Sequence, residues 1–266
     1  MKPVSPVLAM ILAASALFGL DRLPAYAADT ACPAHYLAGK APDLPPADVG
    51  SLEICNQAFA NAVSPWSYGP AYAAEHLTVA GLIAANHLDR VDAFHADAKV
   101  PIEFRAEMND YKGAPYDRGH MAPAGDMPTA SAQRESFALS NMVPQIPNNN
   151  RGVWSRIEER VRREVVLRIG GEGWIVTGPA YSGLTTKLKG RVAVPARLWK
   201  AVYIPGDPST NAPTLAGAYV VDNAEDATPE IISIDALTAK FGIDPMPGLA
   251  PDLRKLANLP MGGGQR

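Results

Sequence analysis

Residues 116–127 read YDRGHMAPAGDM, and how this stretch is read decides what kind of fold the chain can have. Arg118, Gly119 and His120 stand between Asp117 and Asp126, just after a Gly-Ala-Pro turn at residues 113–115. A packed strand has little use for such residues, so a loop is expected. Unperturbed imidazole titrates near pH ~6.5, which makes His120 an available base at neutral pH. Arg118 cannot lose its charge and forks onto phosphate oxygens. Gly119 would let the backbone approach a bulky anion. On its own the tetrapeptide fits a solvated polar turn and a phosphate-holding, water-activating site equally well.

A helix downstream separates these readings. It is expected to start at Asn148 or Asn149, either a good N-cap, and to stop at Gly170-Gly171. Trp154, Ile157, Val161 and Val165 recur at helical spacing and define a buried stripe. At about 100° per residue, Asn150 and Glu158 fall on that same side. An amide and a carboxylate turned toward protein must be paired or must line a site. Either Asn150 satisfies a neighbouring loop and Glu158 pairs with an arginine, or the two border a cavity that holds a hard cation.

The rest of the chain supplies the frame. Residues 7–20 are an apolar run behind Lys2, followed by the small-x-small pattern Ala25-Tyr26-Ala27. Residues 1–27 are therefore expected as a cleaved secretory signal, too short in its apolar part to span a membrane comfortably. Removing Lys2, Arg22 and Asp21 from the 24 basic and 27 acidic residues leaves 22 against 26. That acidic balance does not announce a nucleic-acid binder, so any such role must rest on a local patch. Cys32 and Cys55 are the only cysteines, and in an oxidising compartment they are expected to pair. Residues 28–65 then read as an N-terminal arm stapled by that disulfide, and residues 66–250 as one domain. Residues 66–86 suit a core-facing strand or a short helix, and residues 131–141 a short helix. The runs GWIVTGPAY, RVAVPARLWKAVYI and LAGAYVVD read as strands of a mostly antiparallel sheet. Residues 234–241 suit a last helix, and residues 251–266 a loose tail. The class is α+β.

DRGH, then SNMVPQ at residues 140–145, then Asn150 with Trp154 and Glu158, resembles the signature of the DNA/RNA non-specific endonucleases. AEHLT, IVTGP, VAVPARLWKAVY and ISIDALTAKFGID are similar to that family's other segments, so the resemblance covers about residues 66–247. It implies a ββα-metal (His-Me finger) core on a mostly antiparallel mixed sheet flanked by helices. It also implies hydrolysis of DNA and RNA phosphodiesters with Mg²⁺, Mn²⁺ being a substitute. By the same resemblance His120 is the general base, Asn150 the direct metal ligand, Glu158 the holder of the metal's water shell and Arg118 a phosphate contact. Asn141 braces the site and Asp117 orients the loop.

Where the family carries Arg-Asn-Pro, this chain has Tyr68-Gly69-Pro70, so Arg90 or Arg105 must substitute or the enzyme is slower. Arg151 and Arg156, close to the expected metal, are the candidate substrate contacts. The more distal arginines of the helix, Arg162 among them, read as a solvated face. His35, His76, His87 and His95 sit in no motif. The expected protein is thus a secreted or periplasmic nuclease with nucleic acid as its partner, with a homodimer and an inhibitor protein left open. A catalytically weak nucleic-acid-binding relative and a phosphodiesterase of small nucleotides are the alternatives.

Overall fold

The computed structural model describes residues 30–261. The expected signal at residues 1–27 and residues 262–266 lie outside the described residues. Among the described residues no helix is long and apolar enough to cross a membrane.

Seven strands form one sheet: β1 (Leu52–Cys55), β2 (Ala60–Ser64), β3 (Gly69–Thr78), β6 (Glu172–Ala180), β9 (Arg197–Ile204), β10 (Leu215–Asp222) and β11 (Glu230–Ile232), in that spatial order. Every neighbouring pair in it is antiparallel. The central strands are covered on both faces, which is why their sequences show no clean polar alternation. Along β9, Leu198, Val202 and Ile204 enter one core while Trp199 and Ala201 enter the other. The first core is closed by Leu82 of α1 (Val79–Asn86) and by Ile157, Val161 and Val165 of α4 (Ser155–Val166). The opposite core is closed by Ile234 and Leu237 of α5 (Ile234–Phe241), with Cys32, Tyr36, Met246 and Leu249.

Several expectations change. The segment expected as an arm supplies β1 and β2, and all five residues of β2 are buried. Its sequence, ANAVS, is small and half polar, so it carries little hydrophobic signal. Cys32 and Cys55 are bonded, with Cα atoms 5.4 Å apart, and tie the start of the described chain to the end of β1. Residues 66–86 hold both candidates in series: β3 runs to Thr78, whose hydroxyl accepts the Gly81 N–H and caps α1. The expected helix at 131–141 is α3 (Ala130–Ser136), ending early because Leu139–Asn141 forms a separate tight turn.

The tail is not loose up to residue 261. Asn258 accepts the Ala216 N–H and donates to the Thr214 carbonyl, Pro260 accepts from the Tyr219 hydroxyl, and Leu259 is buried. The Asn258 bond to Ala216 satisfies the start of β10, which its neighbour β11 does not reach.

The site is carried by a two-stranded ribbon beside the sheet and by α4. The DRGH run is not a loop but the strand β4 (Asp117–His120), antiparallel to β5 (Met142–Gln145). The ribbon tolerates polar residues because its side chains line a cleft. Gly119 is required by packing: a Cβ there would stand 2.8 Å from the Gln145 Cβ. Between β5 and α4 the chain makes a wide π-helical turn, Asn149–Trp154. The expected N-cap does not form, since neither Asn148 nor Asn149 caps the helix with its side chain. Asn149 is buried instead, accepting from Gln145 Nε2 at 2.7 Å and donating to the Asp222 carbonyl at 2.7 Å. These bonds dock the turn on both β5 and β10. The helix also stops at Val166, before Gly170.

Candidate active site

The ribbon, the π-helical turn and the first turns of α4 surround a cleft of about 980 Å³. It is lined by Asp117, Arg118, His120, Asn150, Arg151 and Glu158, and also by Arg90 and Arg162. The structure thus brings six of the sequence-expected site residues onto one surface.

His120 ends β4 and is almost fully buried. Its ring meets Phe137 edge-on at a centroid distance of 4.8 Å and Phe94 at 5.9 Å. The same two rings seat cations: the Arg118 guanidinium lies 3.9 Å from the Phe94 centroid and that of Arg90 lies 5.1 Å from Phe137. One aromatic wall therefore sets the positions of three cleft residues. Burial, then the charge of Arg90, push the His120 imidazole down to about 3, so the ring is neutral at physiological pH. Its Nε2 is buried without a hydrogen-bond partner.

Asn150 and Asp117 are coupled. Asn150 Nδ2 donates to Asp117 Oδ2 at 2.9 Å, while Arg151 holds the same carboxylate with two bonds of 2.8 and 2.6 Å. Burial alone would raise the Asp117 carboxyl, but the hydrogen bonds from Arg151 and Asn150 outweigh it and hold it below its usual range. An ionised carboxylate can only accept, so the amide must give it the nitrogen and keep its oxygen free. Asp117 thereby leaves the Asn150 oxygen free to accept a cation. Arg151, expected to meet substrate, has its guanidinium engaged here.

Glu158, in the first turn of α4 and eight residues after Asn150, is partly buried. Burial pushes its carboxyl up to about 7 against the opposing pull of Lys200 and Arg162. Beneath it lies a polar patch inside the first core that sequence reasoning passed over. Glu75 is fully buried and raised well above its ordinary range, first by burial and then by the charge of Asp126. Lys200 is fully buried, donates to Thr177 Oγ1 at 2.6 Å and lies 5.5 Å from the Trp154 centroid. Arg162 binds Asp126 at 2.7 Å. Arg162 is thus a cleft residue held by a buried acid, not part of a solvated face. The cue was its place four residues after Glu158.

Two expected residues lie elsewhere. Asn141 is fully buried behind the ribbon, accepting the Ala122 N–H and donating to the Ala122 and Ser136 carbonyls. It braces the chain just past His120 and does not line the cleft. Arg156 is exposed and outside the lining. Tyr68 is also away from the cleft, in a cluster with Leu188 and under the Arg191 guanidinium at 4.5 Å. Of the two substitutes considered for the missing family arginine, Arg90 lines the cleft beside its ion-pair partner Asp92 at 2.7 Å, whereas Arg105, paired with Glu107 at 2.8 Å, lies outside the lining.

The donor set suits a hard cation that keeps most of its waters: one oriented amide oxygen and one carboxylate, with no thiolate. Cys32, Glu53 and Cys55 also cluster, but those sulfurs are bonded to each other.

A sequence profile described as DNA/RNA non-specific endonuclease matches residues 46–251. The chain belongs to that family. Among curated relatives, the zebrafish (Danio rerio) protein named "Nuclease EXOG, mitochondrial" is 38% identical over 167 residues, 58% of this chain and 48% of that protein. A Nostoc protein named "Nuclease" is 33% identical over 177 residues, 62% of this chain and 64% of that protein. The chain thus spans about half to two thirds of the length of these nucleases. A solved chain from "Crystal structure of the EndoG/EndoGI complex: Mechanism of EndoG inhibition" superposes with a TM-score of 0.62 at 25% identity. That superposition covers 76% of this chain and 88% of the other. The ββα core expected from the sequence is therefore the fold of this endonuclease family.

Proposed function

We propose that the chain is a Mg²⁺-dependent endonuclease that hydrolyses phosphodiester bonds of both DNA and RNA, with Mn²⁺ able to substitute. The observation that carries this reading is one cleft holding a neutral, unpartnered His120 Nε2 together with the Asn150 amide oriented by Asp117. A base must be unprotonated to take a proton from water, and the buried position of His120 meets that requirement. Asn150 and Glu158 would hold the cation, which when bound offsets charge on the phosphate under attack. Arg90 and Arg118, both fixed on aromatic rings, supply positive charge toward the same phosphate.

The test is incubation of purified protein with plasmid DNA, RNA and dinucleotides, with Mg²⁺ and with EDTA. Cleavage of both polymers that EDTA abolishes is expected. Undiminished cleavage in EDTA refutes the metal, and turnover of dinucleotides alone favours the small-substrate alternative. We also place the protein in an oxidising, secreted or periplasmic setting, on the strength of the Cys32–Cys55 bond. An inhibitor protein remains a proposed partner, because the EndoG structure above is described by its inhibition.

A further inference from the structure

In an acidic chain, one stretch carries no carboxylate at all. Between Glu172 and Asp207 there is neither Asp nor Glu, and the middle of that stretch is the hairpin β7 (Lys187–Leu188) to β8 (Val192–Ala193), reading KLKGRVA. Its apolar residues face inward: Leu188 and Val192 pack with Tyr111, Leu139 and Met142. Its cations are left outward. Lys187 donates to the Trp66 carbonyl at 2.7 Å and Lys189 to the Asn109 carbonyl. Neither meets a carboxylate among the described residues. The neighbouring cation Arg191 differs, lying 3.4 Å from the buried Asp110 and donating to the Arg105 carbonyl.

The hairpin's position gives this surplus charge a use. It packs on α2 (Met108–Tyr111), and α2 with Lys112 forms one wall of the catalytic cleft. Asn109, whose carbonyl Lys189 holds, itself lines that cleft. Exposed Lys112 lines the cleft, exposed Lys189 holds Asn109 of the same wall, and partly buried Lys187 lies two residues away on the same hairpin. Beside Lys187, 5.0 Å from its ammonium, Trp66 keeps 40% of its surface exposed.

A polynucleotide cannot end at the scissile bond. Its flanking phosphates leave the cleft carrying one charge per nucleotide, and because the chain as a whole is net negative they need local cations to meet them. We infer that the β7–β8 hairpin is a second nucleic-acid contact, in which Lys187 and Lys189 bind backbone phosphates flanking the one in the cleft. This rests on the endonuclease reading for the cleft and adds a track that favours long strands over short ones. Lysines suit it, because an ammonium is a rotatable point charge that does not select sequence.

The test separates the track from the catalytic reading by measuring binding alone. The full chain in EDTA is titrated against fluorescent single strands of about 2 and about 30 nucleotides at several salt concentrations. Each neutralised phosphate contributes ~0.7 to the slope of log affinity against log salt for single strands. Lys187→Gln with Lys189→Gln should lower the long-strand slope by about 1.4 and leave the short-strand slope unchanged. Lys189→Glu, at an exposed position, gives the same direction without touching the Lys187–Trp66 bond. An unchanged long-strand slope in both variants overturns the inference, as does an equal loss for both lengths. A wild-type chain that shows the hairpin-dependent slope but cleaves nothing in Mg²⁺ supports the track and refutes only the endonuclease reading.

Discussion

Glu158→Gln should make the metal-free protein more stable and the nuclease inactive. The carboxyl sits between the buried polar patch and the cleft, and burial raises it from an ordinary 4.5 to about 7 against the pull of Lys200 and Arg162. A carboxyl raised in the folded state stabilises that state while it is protonated. This contribution is complete below pH ~4.5 and is lost as pH rises through about 7. Above that, the folded chain holds a carboxylate that the unfolded chain would hold more easily. At roughly 1.4 kcal/mol per tenfold change in proton affinity, the cost is at most about 3.5 kcal/mol, and partial exposure brings it nearer ~2 kcal/mol. Glutamine keeps the shape and removes the charge. For a chain of this size ~2 kcal/mol corresponds to about 4–8 °C in Tm. Thermal unfolding of both proteins in EDTA between pH 4.5 and 8.5 is the assay. The gap should open across pH 5–7 and then level off. A gap that does not change with pH, or a variant less stable at pH 8, refutes the reasoning.

The other predictions concern the same cleft and its anchors. His120→Gln should cost at least ~10²-fold in rate on plasmid DNA. Glutamine is preferred to alanine because the ring packs on Phe94 and Phe137, and near-normal turnover would remove His120 as the base. Asn150→Ala should raise the Mg²⁺ concentration at half-maximal rate, and an unshifted midpoint would place the cation elsewhere. Arg90→Ala should cost about 10²–10³ in kcat, whereas Tyr68→Arg should bring no gain, since Tyr68 lies outside the cleft. The opposite pattern of rates would assign the charge to the Tyr68 region. Reducing Cys32–Cys55 should destabilise the fold by ~3 kcal/mol from loop entropy, read as a lower Tm in reductant; an unchanged Tm would show that the bond does not constrain the unfolded chain.

The amino-acid sequence by itself determined the chemistry and its order along the chain. DRGH, the asparagine turn and the Trp154–Val165 stripe are local patterns, and local patterns survive in one dimension because helix and motif spacing depend only on neighbours. The α5 boundaries were legible for the same reason: Ser233 caps a short apolar run that Gly242 closes. What pairs across the fold was not legible. Residues 60–64 are too small and polar to announce a central strand, and only burial against β3 makes them one. DRGH looks like a loop until β5 lies alongside it, and Gly119 looks like an anion contact until the Gln145 side chain fills the space. Arg90 was one of two cations the sequence offered and Arg162 read as a solvated face; tertiary contacts put both in the cleft, one on Phe137 and one on Asp126. The same holds for the buried Glu75, Thr177 and Lys200, which read as ordinary strand positions. Their environment is set by strands that are distant in sequence, so their burial, and the shifted acidity of Glu75 that follows from it, exists only once the sheet has formed.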